Sequence, residues 1–425
     1  MATVKGKKSI TLNGTDPIRL NGRTEFEWQD DGWADGFFFW SPQRGSVLNV
    51  TLAASWDAGF LRIAGNLGAR IRDNANGDRQ LDGIFCSNRA NDIINLRRTD
   101  VDVIRTNGGN DRVNIGDVRF ELLSTGDGRD IVNLNTTSWV GAVFLGNGND
   151  RITVRDRDAG VNMISGGEGN DRITVRAEAE AIMANRGNDV VENGANWIGS
   201  ISTGRGRDTV ILNKGDVDYI SLGRDADTVI ARVRGEDAAR VFIDGGENTS
   251  GGKNSDIDKI SFANFRKALD IDLDSGRVNS DQGRFELKNF ETVIGGRAGD
   301  RIAGNWDDNR LEGRAGHDSI YSGEGADTVV GGGGADRFVF RDVDDRMDRI
   351  VDFRRAQNDK IDLREINDDF DFIGRQGFSG DGPEVRFTTG GGQTRIQGDL
   401  DGDGDADFTI ALNQALNLQQ NDFLL

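Results

Sequence analysis

Between Gly295 and Phe340 the chain keeps a nine-residue period, and no other feature limits its fold as strongly. The segment reads GGRAGDRIAGNWDDNRLEGRAGHDSIYSGEGADTVVGGGGADRFVF and sets Asp300, Asn309, Asp318, Asp327 and Asp336 nine residues apart. Each unit runs as a glycine pair or its remnant, one residue, a Gly or substitute, one residue, the acid, one residue and an apolar position. Ile302, Leu311, Ile320, Val329 and Phe338 fill that last position. A unit of the form G-G-x-G-x-D-x-U-x has one apolar side chain and cannot bury it alone, so successive units must stack. The expected fold class is all-β, a parallel β-roll or β-solenoid. Two units make a coil of about eighteen residues, and coils stack at about the 4.8 Å strand spacing.

The residue types point to calcium. Glycine permits the positive φ angles and close backbone approach of a tight turn, and Asp carboxylates with freed backbone carbonyls are the hard oxygen ligands that Ca²⁺ prefers. The candidate metal residues of this block are Gly296, Asp300, Gly316, Asp318, Gly325, Asp327, Gly334 and Asp336. Stacking aligns the aspartates in rows. Like charges about 5 Å apart cost roughly 1 kcal/mol in water and several times that at an effective dielectric near 20. Such a stack is expected to need its cation in order to fold.

The block resembles the repeats of RTX (hemolysin-type) calcium-binding proteins. A looser array precedes it, with units SNRANDII, TNGGNDRV, STGDGRDIV, LGNGNDRI, SGGEGNDRI, ANRGNDVV, STGRGRDTV and SLGRDADTV. Its aspartates are Asp92, Asp111, Asp130, Asp150, Asp171, Asp189, Asp208 and Asp227, spaced 18 to 21 residues apart, which is twice nine with small insertions. Each of these coils has one glycine-aspartate turn, so Asp111 to Asp227 should bind calcium along one edge only. The strict block should bind along both.

The remaining boundaries follow from where these patterns stop. Residues 1–85 carry no calcium pattern and hold FEWQDDGWADGFFFW, with Phe26, Trp28, Trp33, Phe37, Phe38, Phe39 and Trp40 within fifteen residues. A solenoid needs its apolar end covered, so this segment reads as an N-terminal cap; an aromatic platform for a sugar is the alternative. Residues 86–233 form the irregular solenoid, 234–294 a spacer with strands at ALDIDL and FELKNF, 295–340 the regular roll, and 341–425 a C-terminal β region. In that last region RIVDF and KIDL read as strands and EVRFTTGGGQTRIQGD as a hairpin around Gly390, Gly391 and Gly392. The order FVFRDVDD, DRIVDF, DKIDL, DGDGDADFTI and DFLL resembles the C-terminal region of serralysin-type secreted metalloproteases. Asp399, Asp401 and Asp403 followed by Gly404 match the start of a D-x-D-x-D-G calcium loop, but Ile410 stands where an EF-hand has its bidentate Glu. They form either a further metal site or a polar turn into FTIAL.

Several function classes drop out. A net charge of −19 argues against nucleic acid or an anionic membrane as partner. No run of eighteen apolar residues exists, so no helical membrane span is expected, and the N-terminal MATVKGKKSITLNG lacks the apolar region of a cleaved signal peptide. Cys86 is the only cysteine, which leaves no internal disulfide. His317 is the only histidine, so the H-E-x-x-H of a zincin protease is absent and Ser-His-Asp or Cys-His centres are disfavoured. It holds the fifth place of its nonapeptide, as Asn110, Asn149, Asn170 and Asn188 do elsewhere, and reads as an exposed turn residue.

The RTX resemblance implies a secreted protein whose partners are calcium ions and a type I secretion apparatus that reads an uncleaved C-terminal signal, here NDFLL. It points to a non-catalytic structural or adhesive role, with contact to a cell surface or a polysaccharide. A polysaccharide-active lyase, epimerase or hydrolase built on a β-solenoid is the alternative. A cluster of acids with Arg or Lys near Trp139 or Trp197 would distinguish it.

Overall fold

The computed structural model describes residues 48–50 and 59–425 apart from 74–78, 87–88, 136, 156–159, 215, 233–238, 247–255, 282 and 342–346. Only the backbone is described at 2–4, 9–12, 18–20, 25–27, 36–47, 51–52, 64–67, 79 and 239–240. The chain divides into two compact units, Met1–Gly223 and Arg224–Leu425. Each is a parallel β-solenoid.

From Ile93 to Leu212 in the first unit, short strands alternate with longer ones. The short strands Ile93–Leu96, Arg112–Ile115, Ile131–Leu134, Arg151–Val154, Arg172–Val175, Val190–Asn193 and Thr209–Leu212 pair in parallel as one sheet. The long strands Thr99–Arg105, Leu122–Asp127, Val140–Asn147, Gly160–Glu168, Glu178–Arg186 and Trp197–Arg205 form the other. Alternate side chains point inward, as a strand half buried against a core requires. Register then stacks like on like: Val113, Val132, Ile152, Ile173, Val191 and Val210 make one buried column. Leu123, Val143, Ile164, Ile182 and Ile201 make the facing one. Each such side chain contributes about 1.5–3 kcal/mol on burial. A coil gains little alone and much from its neighbours.

The N-terminal aromatic run enters this unit as backbone. Strand Gly36–Leu52, which contains Phe37 to Trp40, pairs in parallel with Phe60–Asp73 and, through Phe38 to Trp40, antiparallel with Glu25–Glu27. Trp28 and Trp33 lie outside the described residues.

The second unit holds the strict block, and its coils are eighteen residues around: Arg301, Ser319 and Arg337 are in register on one sheet, Arg310 and Thr328 on the other. The spacer does not interrupt the roll. Its Lys259–Ser261 lies between Thr228–Ala231 and Thr292–Ile294, and its Asp270–Asp272 precedes Arg301–Ala303 in the second sheet. The strands expected at ALDIDL and FELKNF are Asp270–Asp272 and Gly283–Lys288, and Phe262, Phe265 and Phe285 pack edge to face behind them. Beyond Phe340, Asp348–Ile350 and Lys360–Asp362 extend the two sheets. The hairpin Glu384–Gly390/Gln393–Asp399 leads into Phe408–Leu412, which is antiparallel to the hairpin and parallel to the roll. Phe423–Leu424 adds a final strand beside Lys360–Asp362. Among the described residues no helix is long and apolar enough to cross a membrane.

Candidate metal centre

The turn before each short strand is built around its acid, and Gly166 to Asp171 illustrates how. A Cβ on Gly166 would lie 2.5 Å from Asp171 Oδ2, so the carboxylate occupies the space that any larger residue would need. Gly167, at φ 114°, would bring a Cβ to 1.8 Å from the carbonyl oxygen of Gly146 in the preceding coil. The glycines are thus fixed by the carboxylate inside the turn and by the turn stacked beneath it. In the second unit the same relation holds between Gly313 and Asp318 Oδ2 (2.3 Å) and between Gly331 and Asp336 Oδ2 (2.5 Å). Where the second glycine is replaced, Asn107, Asn185 and Arg314 adopt positive φ in its stead.

One oxygen of each acid closes a ladder. The backbone N–H groups of Asp92, Asp111, Asp130, Asp150, Asp171 and Asp189 donate to Oδ1 of Asp111, Asp130, Asp150, Asp171, Asp189 and Asp208, each at 2.7–2.8 Å. This is a single row along one edge of the first unit. The second unit has two. Asp300 donates to Asp318 (2.7 Å) and Asp318 to Asp336 (3.0 Å) on one edge, while Asn309 donates to Asp327 (2.7 Å) on the other. Gly296 holds Asp300 differently, by donating its own N–H to Oδ2 at 2.6 Å. Gly316, Gly325 and Gly334 supply the positive-φ bends, at 131°, 112° and 143°.

The other oxygen is the informative one. Oδ2 of Asp92, Asp111, Asp130, Asp150, Asp171 and Asp189, and of Asp318 and Asp336, is buried without a hydrogen-bond partner. These residues are at most 2% exposed. Native interiors rarely leave such atoms unmatched, since an ionised carboxylate pays heavily for desolvation. Burial raises their pKa values: Asp92 to about 8, Asp111, Asp150, Asp171 and Asp318 to about 7, and Asp189 and Asp336 to about 6, with the neighbouring acids of the row adding to the effect for most of them. Rows of inward-directed carboxylate oxygens lacking a donor fit a hard cation such as Ca²⁺.

A family model of the RTX calcium-binding nonapeptide repeat matches in four copies, over residues 157–191, 290–320 and 303–338. The chain carries RTX calcium-binding repeats. No curated protein matches it. The matched residues contain Asp171 and Asp189 from the first unit and the strict block from the second. Asp92, Asp111, Asp130 and Asp150 lie outside them and nevertheless have the same ladder, burial and unmatched oxygen as Asp171.

The rows extend past what the motif marks. Asp258 and Glu291 continue from Asp227: the Asp227 N–H donates to Asp258 Oδ1 and the Asp258 N–H to Glu291 Oε2, both at 2.8 Å. Asp348 accepts from Asp327 (2.9 Å) and Asp359 from Asp336 (3.1 Å). All four precede or open a strand as D/E-x-U, in DKI, ETV, DRI and DKI, and that half-motif was the available signal. A second ladder runs the opposite way on the fifth-place residues. Asn91, Asn110, Asn149, Asn170 and Asn188 accept through Oδ1 from the next coil's N–H at 2.7–2.8 Å. In the second unit His317 is an exposed turn residue, as expected, and takes the equivalent part, its Nδ1 accepting the Ala335 N–H at 2.7 Å.

Asp399, Asp401 and Asp403 come together with carboxylate oxygens within 4.8 Å of one another. Asp399 is buried and binds the N–H groups of Gly402 and Gly404 at 2.7 and 2.9 Å, while Asp401 and Asp403 accept local N–H groups in successive tight turns. Both candidate readings of this loop are compatible with that arrangement.

Proposed function

We propose that the chain is a calcium-dependent structural protein that works outside the cell, in surface attachment or assembly, without a catalytic centre. The observation that carries this reading is the set of buried, donor-less Oδ2 atoms stacked in rows on a solenoid. The residues that would hold the ions are Asp111, Asp130, Asp150, Asp171, Asp189 and Asp208 in the first unit's row, and in the second unit Asp227, together with Asp300, Asp318, Asp327 and Asp336 with Gly296, Gly316, Gly325 and Gly334 in the strict block. Asp399, Asp401 and Asp403 would hold a separate ion. Bound calcium would supply the positive charge that the rows lack. The chain's own turns do the rest, fixing each carboxylate through Oδ1 and keeping water out. With several weak sites filled together, the roll would remain unformed at low cytosolic calcium and fold at the millimolar calcium found outside. Secretion by a type I route rests on the RTX and serralysin resemblances.

The test is a count of bound calcium in the intact chain by equilibrium dialysis. Parent protein should carry several ions, and Asp171→Ala and Asp318→Ala fewer. A parent that binds none would overturn the reading.

Polysaccharide contact has one specific observation in its favour. A groove of about 870 Å³ in the first unit is lined by Asn95, Asn114, Asn133, Arg97, Arg155 and Asp117, among others, and exposed Trp139 follows two residues after its lining residue Thr137. Its amides form a ladder, Asn133 to Asn114 to Asn95, at 2.8 and 2.7 Å. Among the described lining residues the carboxylate is Asp117, which accepts the Thr137 hydroxyl at 2.6 Å.

A further inference from the structure

The first unit's acids occupy one edge of its solenoid, and the groove lies at the other, where each short strand turns toward the next long one. Leu96, Ile115, Leu134 and Val154 end four successive short strands in register. Arg97, Gly116, Asn135 and Arg155 therefore hold the same place in four successive coils. The last three donate their N–H groups to the carbonyls of Leu96, Ile115 and Leu134 at 2.7–3.0 Å. A Cβ on Gly116 would lie 3.1 Å from Arg97 Cα, and the missing side chain leaves the column open between the two arginines. Three coil steps separate Arg97 from Arg155, about 14 Å at the usual strand spacing.

The lining offers two kinds of donor. Arg97 and Arg155 are exposed, and among the described residues neither guanidinium makes an ion pair. Between them Asn95, Asn114 and Asn133 are half-buried, and their ladder uses one N–H of Asn133 and one of Asn114. A side-chain amide has two N–H groups, so the row keeps donors for a ligand. Asp117 opposes the arginines, but its carboxylate is engaged by the Thr137 hydroxyl. Among the described lining residues two cations thus stand against one carboxylate, on a chain of net charge −19. A local reversal of sign of this kind favours an anionic ligand. Nearby Trp139, 46% exposed, has its ring held against Gly160, where a Cβ would come within 2.3 Å of it. A fixed indole of that kind presents an apolar face to a sugar ring.

We propose that the groove binds an acidic polysaccharide laid along the stacking direction of these coils, with Arg97 and Arg155 pairing with carboxylates of two of its sugars and the asparagine row meeting the hydroxyls between them. Guanidinium and carboxylate match through two parallel hydrogen bonds, and amide N–H groups donate to hydroxyl oxygens. The repeat of the site suits a polymer, because each coil advances about 4.8 Å, close to the length of one sugar ring. The proposal rests on the polysaccharide-contact reading and deepens it: it adds the charge of the glycan, the two residues that read that charge and the direction in which the glycan lies.

The experiment is calorimetric titration of the calcium-loaded full chain with tetragalacturonate, an acidic oligosaccharide long enough to reach both arginines, and with neutral cellotetraose. Tetragalacturonate should bind more tightly than cellotetraose and weaken as salt is added. The double variant Arg97→Gln/Arg155→Gln should lower its affinity about tenfold with the circular dichroism of the parent, whereas Arg395→Gln, an equal loss of charge on the exposed C-terminal hairpin, should not. If cellotetraose binds as tightly as the acidic probe, or the double variant binds the acidic probe as the parent does, the acidic class or the arginine site is wrong and polysaccharide contact survives. If the folded, calcium-loaded parent binds neither probe, both fall.

Discussion

Asp171 uses its two carboxylate oxygens differently. Its Oδ1 is a structural acceptor and its Oδ2 an unmatched buried oxygen, so the two halves of one side chain have different roles. Asp171→Asn retains an acceptor for the first role and removes the charge from the second. In chelator at pH 5, where the protonated rows keep β structure, the variant should be at least as stable as the parent, whereas in calcium at pH 7.5 it should be less stable by about 1–3 kcal/mol. Urea midpoints in the two conditions measure this; equal shifts would mean that the carboxylate is not a ligand. Gly167→Ala acts on the same turn without touching charge. A Cβ 1.8 Å from the Gly146 carbonyl oxygen, at φ 114°, forces the coils apart. The loss should be about 2 kcal/mol or more, in calcium at pH 7.5 and in chelator at pH 5 alike. A neutral result would mean that the turns are not stacked this closely.

The row is the next scale up, and its acids should respond to pH together. In the metal-free chain Asp92, Asp111, Asp150, Asp171 and Asp189 titrate between about 6 and 8 when folded, against an ordinary Asp value of 3.8. The folded row therefore binds more protons than the unfolded chain between about pH 4 and pH 8, and stability falls as pH rises through that window. Each unit by which a pKa is raised costs the charged form about 1.4 kcal/mol. Solvent screens part of this cost, but it acts on several acids of the row at once and opposes the ~5–15 kcal/mol that holds a typical domain folded. In chelator the chain should have more β structure by circular dichroism at pH 5 than at pH 8. Bound calcium should change in the opposite sense and increase with pH. A chelated chain equally folded at both would contradict the assignment of these acids as buried and charge-strained.

How much of a row could be read from the sequence depended on whether its turn was interrupted. Asp300, Asp318 and Asp327 were legible because glycine pair, acid and apolar residue follow at fixed spacing. So was Asp171, despite coils that vary by a few residues, because insertions fall in the opposite turn. Asp258 was not, because residues 247–255 lie between its turn glycines, Gly245 and Gly246, and the acid itself, although the strand-initiating DKI remained. The paired ladders were hidden for another reason. That Asn188 accepts the Arg207 N–H, or His317 that of Ala335, depends on which residues the stacking superposes, and no local pattern encodes it.

For the whole molecule the governing quantity is its charge, −19 over 425 residues, much of it aligned in rows. Apolar columns such as Val113 to Val210 favour stacking of the coils, and the aligned carboxylates oppose it when no cation is present. Both effects grow with each added coil, so calcium should switch large parts of the chain at once rather than tighten one loop. The central claim is that the rows cannot fold uncompensated at neutral pH. Circular dichroism of the purified chain at pH 7.5, first in chelator and then with calcium added, tests it most directly. The account predicts a largely unordered spectrum that converts cooperatively to β structure as calcium rises; a full β spectrum in chelator, unchanged by calcium, would contradict it.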